Sequence, residues 1–423
     1  MMNLNFLLKS FKSKTKQNFI IYGLGQAFNL ISPLIIAPYV VLVCKEDGFG
    51  KVGLGFALAL FLILIVDYAF DIKGTKEVAE NRENKQELEL ILSKTLFTKF
   101  ILFLIALLLA FVVIEFIPFF NSEKTLFLLS LTVVFAQVFS MNWFLQGIEN
   151  FRLFSIINIC SKVIYVILVF WFVNSSEDYI YVNFFLGIST LFFNLSGLLF
   201  IKKKYSYKIT IPNFEDVKSI LKSDFFFCIS QLFLSVRQLS PLLLIGVFLG
   251  YGSAGLYKVM EQIITLVRTF VQVFLKFFFP KLCYIVKYNH QDGLAFWRKY
   301  SFINSALITS FLIIVLVFSK QVLTFFNISE ELIKPLNSIF RFSLLVSFLI
   351  SMSLPLEQLM FVFNKNKDYI KITIAITIIN VVLILTVIDK FELFGIIATL
   401  ILSEILFIFF YLKSSLLKIK YKA

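Results

Sequence analysis

Residues 96–117 read LFTKFILFLIALLLAFVVIEFI. From Phe100 to Ile114 no polar side chain interrupts the run. A helix of about 20 such residues crosses the hydrocarbon core of a bilayer. A barrel strand would be about ten residues of alternating polarity, and no alternation is present. The rest of the chain repeats the pattern. Of 423 residues 59% are apolar and only 16% charged, with a mean hydropathy of +0.89, whereas soluble domains carry about 25% charged residues. The spacing predicts an all-α polytopic membrane protein of about twelve helices. They fall at about 18–43, 52–72, 96–117, 125–146, 154–173, 179–201, 225–249, 255–279, 300–319, 336–363, 370–388 and 393–412.

The net charge of +14 does not point to nucleic acid, because the basic residues sit in short segments between apolar runs. The clusters Lys202, Lys203, Lys204 and Lys413, Lys418, Lys420, Lys422 share a side with the leader Lys9, Lys12, Lys14 and Lys16. By the positive-inside rule both termini are expected in the cytoplasm of a bacterial inner membrane. The leader is followed by a span too long for a signal-peptide core, with no small-residue cleavage site, so the first span is expected to be retained. Cys44, Cys160, Cys228 and Cys283 are scattered and His290 is the sole histidine. No metal cluster or cofactor is therefore expected. No Gly-x-x-x-x-Gly-Lys-Ser/Thr run occurs, which argues against ATP hydrolysis and for a protein that is not an enzyme.

The longest polar interruptions are about 73–95, 202–224 and 280–299, and the middle one divides the chain into two six-helix halves. Ser32-Pro33-Leu34 recurs as Ser240-Pro241-Leu242, and Gly48-Phe49-Gly50-Lys51-Val52 as Gly255-Leu256-Tyr257-Lys258-Val259. Offsets of 208 and 207 favour an ancient duplication. Six helices per half make the repeats parallel, predicting pseudo-symmetric lobes at 1–210 and 211–423 around a central cavity.

Charges inside the spans indicate what such a cavity would hold. Lys258, Glu261, Thr265, Arg268, Gln272 and Lys276 lie within an arc of about 80° on one helix. Lys258 and Lys276 can snorkel from its ends, but Arg268 is central. Arg237 lies at the midpoint of the preceding span. A lipid-facing arginine at that depth costs about 2.5–3.5 kcal/mol, so a shared hydrated cavity is expected, with buried ion pairs as the alternative. Lys162 is a further cation, and Arg341 either snorkels or joins the cavity. Tyr22, Gln26, Asn29 and Pro33 share a polar arc of about 60° that suits either the lumen or bonds between helices. Asp67 and Asp71 share a face near one end of their helix and are expected to be half-solvated. Glu357 lies near the inner end of its span. Glu404, deep in the last span, is expected to be structural, with proton coupling as the alternative. The cations predominate, predicting a net-cationic lumen and an anionic cargo.

Three stretches carry a family resemblance. Asp67-Tyr68-Ala69-Phe70-Asp71-Ile72-Lys73-Gly74-Thr75-Lys76-Glu77-Val78-Ala79, Trp143-Phe144-Leu145-Gln146-Gly147-Ile148-Glu149, and Gly255-Leu256-Tyr257 with Glu261 and Pro280-Lys281 occur in the order seen in Wzx-type polysaccharide flippases. Those belong to the multidrug/oligosaccharidyl-lipid/polysaccharide exporter superfamily. Ala69 departs from the usual glycine. The resemblance implies an undecaprenyl-pyrophosphate-linked oligosaccharide such as an O-antigen unit, moved between leaflets by alternating access with its lipid tail left among the membrane lipids. It also implies a polysaccharide polymerase and a chain-length regulator as candidate partners. Gln146 and Glu149 are expected to fix a tight turn rather than touch substrate. A cation-coupled drug exporter would prefer acidic residues deep in the first lobe. A lipid II flippase usually has two more helices, and a glycan polymerase or ligase needs a large outer loop that the short outer segments do not supply.

Overall fold

The computed structural model describes residues 14–420, apart from the side chains of 14–24, 26, 27, 223, 224, 226, 227, 230, 234, 280, 287 and 415–420. Every regular element among the described residues is helical. In chain order they are α1 (Lys14–Asp67), a π-turn (Phe70–Gly74), α2 (Thr75–Glu80), α3 (Lys85–Phe116), α4 (Pro118–Asn121), α5 (Lys124–Val138), α6 (Asn142–Gly147) and α7 (Phe151–Phe172). A 3-10 turn (Ser176–Asp178) then leads to α8 (Tyr179–Tyr205), α9 (Phe214–Tyr288), α10 (His290–Val317), α11 (Ser319–Phe325), α12 (Glu330–Val362) and α13 (Asn366–Lys420). Nine helices among the described residues are long and apolar enough to cross a membrane. Three of these nine contain a single non-helical residue where two helices join: Lys45 (φ 60°) in α1, Gly250 (φ 84°) in α9 and Glu392 (φ 44°) in α13. Each break falls in a gap expected from the sequence between two spans.

Helix α3 shows why the quoted stretch needs a membrane. Lys99, Leu102, Ala106, Ala110 and Ile114 form a buried stripe at spacings of three and four, the helical period. The opposite face is equally apolar yet uncovered: Phe100, Leu104, Leu108 and Phe111 are all exposed, Leu108 by 65%. A helix apolar on all sides with one side bare is suited to lipid.

The polar interruptions read from the sequence are largely helical. Asn84 caps α3 by accepting from Gln86 N and Glu87 N, and Asn289 caps α10 by accepting from Gln291 N and Asp292 N. Each cap satisfies backbone donors left open at a helix start, so both helices begin well ahead of their apolar runs. Helix α8 ends on Lys202, Lys203 and Lys204, with Ser206 left-handed behind them. Cations there complement the helix dipole.

The chain forms two compact units. The first runs to Ile36 and takes in Gly55–Leu232; the second holds Ala37–Leu54 and the chain from Phe233 onward. In the first, α5 and α8 are joined by polar bonds inside an apolar setting. Asn183 donates to Ser130 Oγ (3.0 Å) and Asn194 to the Ala136 carbonyl (2.9 Å), the usual adhesive between membrane helices. At one end of this unit Val78, Leu92, Trp143, Phe144, Phe154, Ile201 and Tyr207 form a buried cluster.

Candidate functional site

In the second unit, α9 from Phe233 onward folds back on itself at Gly250. Its φ of 84° is a conformation that glycine adopts without steric cost. The reversal brings Arg237, from the first half, and Glu261, Thr265, Arg268 and Gln272, from the second, to one cavity of about 150 Å3. Helix α12 contributes Val346, and the two halves of α13 contribute Thr377 and Asn380, then Ser403, Glu404 and Phe407.

Glu404 is 3% exposed. Its Oε1 accepts from Arg237 Nη2 in a direct ion pair, and its Oε2 accepts from Ser353 Oγ at 2.6 Å. The Arg237 guanidinium also lies 3.8 Å from the centre of the Phe407 ring, a favourable cation–π placement. Arg268 stands apart: its Nη2 is 4.0 Å from Glu404 Oε1, and it makes no hydrogen bond among the described residues. Asn380 donates to Ser403 Oγ at 2.7 Å, while Asn380 Oδ1 and Thr377 Oγ1 are buried without a hydrogen-bond partner among the described residues. The cavity therefore offers one guanidinium held only by a long ion pair, uncharged amides and hydroxyls, and a carboxylate already engaged.

Six of the residues singled out in the sequence meet here: Arg237, Arg268, Glu261, Thr265, Gln272 and Glu404. The remainder lie elsewhere. Lys258 is held by Glu261 at 2.6 Å, which leaves it little capacity for a ligand. Arg341 is exposed and donates from Nε to Ser319 Oγ at 2.8 Å, outside the cavity. Glu357 accepts from Tyr369 Oη at 3.1 Å and does not line it. Lys162 and Asn29 belong to the first unit; Lys162 is half-buried and has no hydrogen bond or ion pair among the described residues. The Gln26 side chain lies outside the described residues.

Two expectations are corrected. The cavity is less cationic than the stripe of lysines and arginines suggested, because Glu404 neutralises Arg237 and Glu261 engages Lys258. Asp67 is not half-solvated but 15% exposed, bonded to Lys99 Nζ and to Gln137 Nε2, each at 2.8 Å. Lys99, Ser353, Phe407, Thr377 and Asn380 were missed. Polar residues in otherwise apolar spans were the available signal for Lys99, Ser353, Thr377 and Asn380, and for Phe407 there was none.

The motif stretches of the first unit serve packing. Thr75 Oγ1 donates to the Trp143 carbonyl at 3.1 Å, the Phe70 and Trp143 rings lie 6.5 Å apart, and Arg82 pairs with Glu149 at 3.1 Å. The turn after α6 is thus clamped to the π-turn and α2, in keeping with a structural role for Glu149.

The fold and site define a multi-pass helical membrane protein with a polar cavity walled by discontinuous helices. Solved structures share the fold. Over 93% of the chain it matches an inward-facing multidrug resistance MATE family transporter of the MOP superfamily (TM-score 0.76, 15% identity, 96% of that chain). It also matches the lipid II flippase MurJ in an inward closed conformation (TM-score 0.70, 13% identity, 93% of this chain and 87% of that one). Residues 15–286 match the model of the polysaccharide biosynthesis protein family, and the chain belongs to that family. Among its relatives are proteins named "Putative O-antigen transporter" from Escherichia coli (strain K12), 23% identical over 93% of this chain and 95% of that one, and from Shigella dysenteriae, 22% identical over 94% and 99%.

Proposed function

We propose that this transporter is a flippase for undecaprenyl-pyrophosphate-linked oligosaccharide, an O-antigen or similar surface-polysaccharide unit. It carries the head group from the cytoplasmic to the outer leaflet of the bacterial inner membrane by alternating access, without enzymatic chemistry. In this reading α1, α9 and α13 each count as a helix pair among the nine candidate spans, for twelve spans in two repeats, 1–210 and 211–423, and the lysine bias puts both termini in the cytoplasm. The polymerase and chain-length regulator of the same pathway are its expected partners.

The observation that carries the reading is Arg268, a cation at a polar cavity within an apolar helix bundle, without a hydrogen bond among the described residues. A guanidinium's planar fork engages two oxygens of a phosphoryl group at once. The neighbouring Thr265, Gln272, Asn380 and Ser403 offer the amide and hydroxyl chemistry that suits sugar. The test is Arg268→Ala in cells dependent on this protein. Surface polysaccharide should fall at least tenfold while lipid-linked oligosaccharide accumulates on the cytoplasmic leaflet, and Arg268→Lys should restore part of the loss. Normal polysaccharide from an alanine variant present at normal level would remove the cationic site from the mechanism.

A further inference from the structure

We infer that Glu404 is a built-in counter-anion: it stands in the place that an oxyanion of the cargo takes when bound, and the two compete for Arg268 and Arg237. This rests on the reading of the cavity as an anion site. The geometry is specific. One oxygen of Glu404 is shared between the two guanidinium groups, directly bonded to Arg237 and 4.0 Å from Arg268. The other oxygen is bonded to Ser353 Oγ at 2.6 Å, which fixes how far the carboxylate can swing.

Two arginines converging on one cavity inside an apolar helix bundle would repel each other if nothing negative lay between them, since charges interact strongly where water is scarce. An anion is needed at this point, and Glu404 supplies it from the protein's own chain. Arg237 is further held by the Phe407 ring, so Arg268 is the group free to turn toward a ligand. A cavity of about 150 Å3 has room for several waters, which suits a phosphoryl or carboxylate group with its hydration.

Competition of this kind resolves a difficulty of transport. A site of two unopposed guanidinium groups would hold a pyrophosphate tightly and release it slowly. A resident carboxylate weakens binding by the free energy of its own bond and replaces the cargo as it leaves. Glu404 is then a positioning residue that acts through the two arginines, and its removal has a signature opposite to that of losing a ligand.

The measurement is equilibrium binding to purified protein in lipid nanodiscs, with inorganic pyrophosphate and glucuronate titrated separately. These probes separate the two sources of an oxyanion, the lipid carrier's phosphates and an acidic sugar. Glu404→Gln should bind pyrophosphate about tenfold more tightly than the parent, about 1.4 kcal/mol, yet deliver less surface polysaccharide. Ser353→Ala, which keeps every charge and loosens only the hold on Glu404, should tighten binding roughly threefold, as loss of one hydrogen bond implies. It carries the test if the glutamine variant fails to fold. Arg268→Ala should lose binding. The counter-anion is overturned if neither variant that could be purified binds either probe more tightly than the parent. If Arg268→Ala has lost binding in that same series, the anion site stands and only the competition falls; if it binds like the parent, both fall.

Discussion

Lys99 has no exposed side-chain surface, and its ammonium is tolerated inside an apolar helix because Asp67 and the Phe70 ring surround it. Gln137 supplies a second hydrogen bond to the same carboxylate. Removing one partner of a buried pair leaves a bare charge and costs about 3–5 kcal/mol, while replacing both with apolar groups is often neutral. Asp67→Ala should therefore lower the thermal midpoint of the purified protein sharply. Adding Lys99→Met to it should recover most of the loss, although neither residue lines the cavity. Equal stability of the single and double variants would show that the pair carries no such energy. The same physics explains what was hidden at this scale. The helical period made the stripe through Glu261, Arg268 and Gln272 legible in the sequence. Asp67 and Lys99 are 32 positions apart, and Arg237 and Glu404 are 167 apart, so no local spacing could pair them, and the charge of the cavity was overestimated.

Among the elements, the junctions are more constrained than the spans. Within the second unit the break at Lys45 places the Glu46–Gly50 turn against the Tyr251–Gly255 stretch, backbone on backbone. A Cβ on Gly255 would lie 1.9 Å from the Glu46 carbonyl oxygen, and one on Gly50 would lie 1.9 Å from that of Tyr251. The Glu46 side chain adds bonds to Ser329 N (2.8 Å) and Oγ (2.7 Å). Alanine at 255 must push the two backbones apart, and overpacking of this kind costs about 1–3 kcal/mol. Gly252, three residues earlier, meets nothing within 4 Å and sits in helical backbone, where alanine is worth about 0.4–1 kcal/mol through the unfolded chain. Gly255→Ala should thus melt lower than the parent and Gly252→Ala slightly higher; a like response of both would contradict the close packing. The two glycines of this contact stood out in the sequence only as parts of a repeated motif. The repeat was visible there, but not that its two copies touch, because contact depends on the chain reversals at Lys45 and Gly250. Of these, only the glycine announces a positive φ by residue type.

For the molecule as a whole, the topology proposed here turns on which way one well-defined helix runs. Helix α8 begins after the turn at Ser176 and ends at Ser206. At 27 residues and 1.5 Å per residue it is about 40 Å long, longer than the roughly 30 Å hydrocarbon core. If it crosses, Ser176 and Ser206 lie on opposite sides, and both are exposed. Lys202, Lys203 and Lys204 crowd its final turn, while Glu177 and Asp178 stand at its start. That asymmetry puts the Ser206 end in the cytoplasm by the positive-inside rule. The experiment is cysteine accessibility in a background where Cys44, Cys160, Cys228 and Cys283 are replaced by alanine. In intact cells with the outer membrane permeabilised, a maleimide that does not cross the inner membrane should label the Ser176→Cys variant. It should label the Ser206→Cys variant only after the inner membrane is opened. Cysteines at Lys365, between α12 and α13, and at Lys208 should follow the Ser206 pattern, because an even number of crossings separates them once α9 is counted as two spans. Labelling of both α8 ends from one side would mean that this helix does not cross. The count of twelve and the cytoplasmic placement of the termini would then fall together, since each depends on α8 completing the first six.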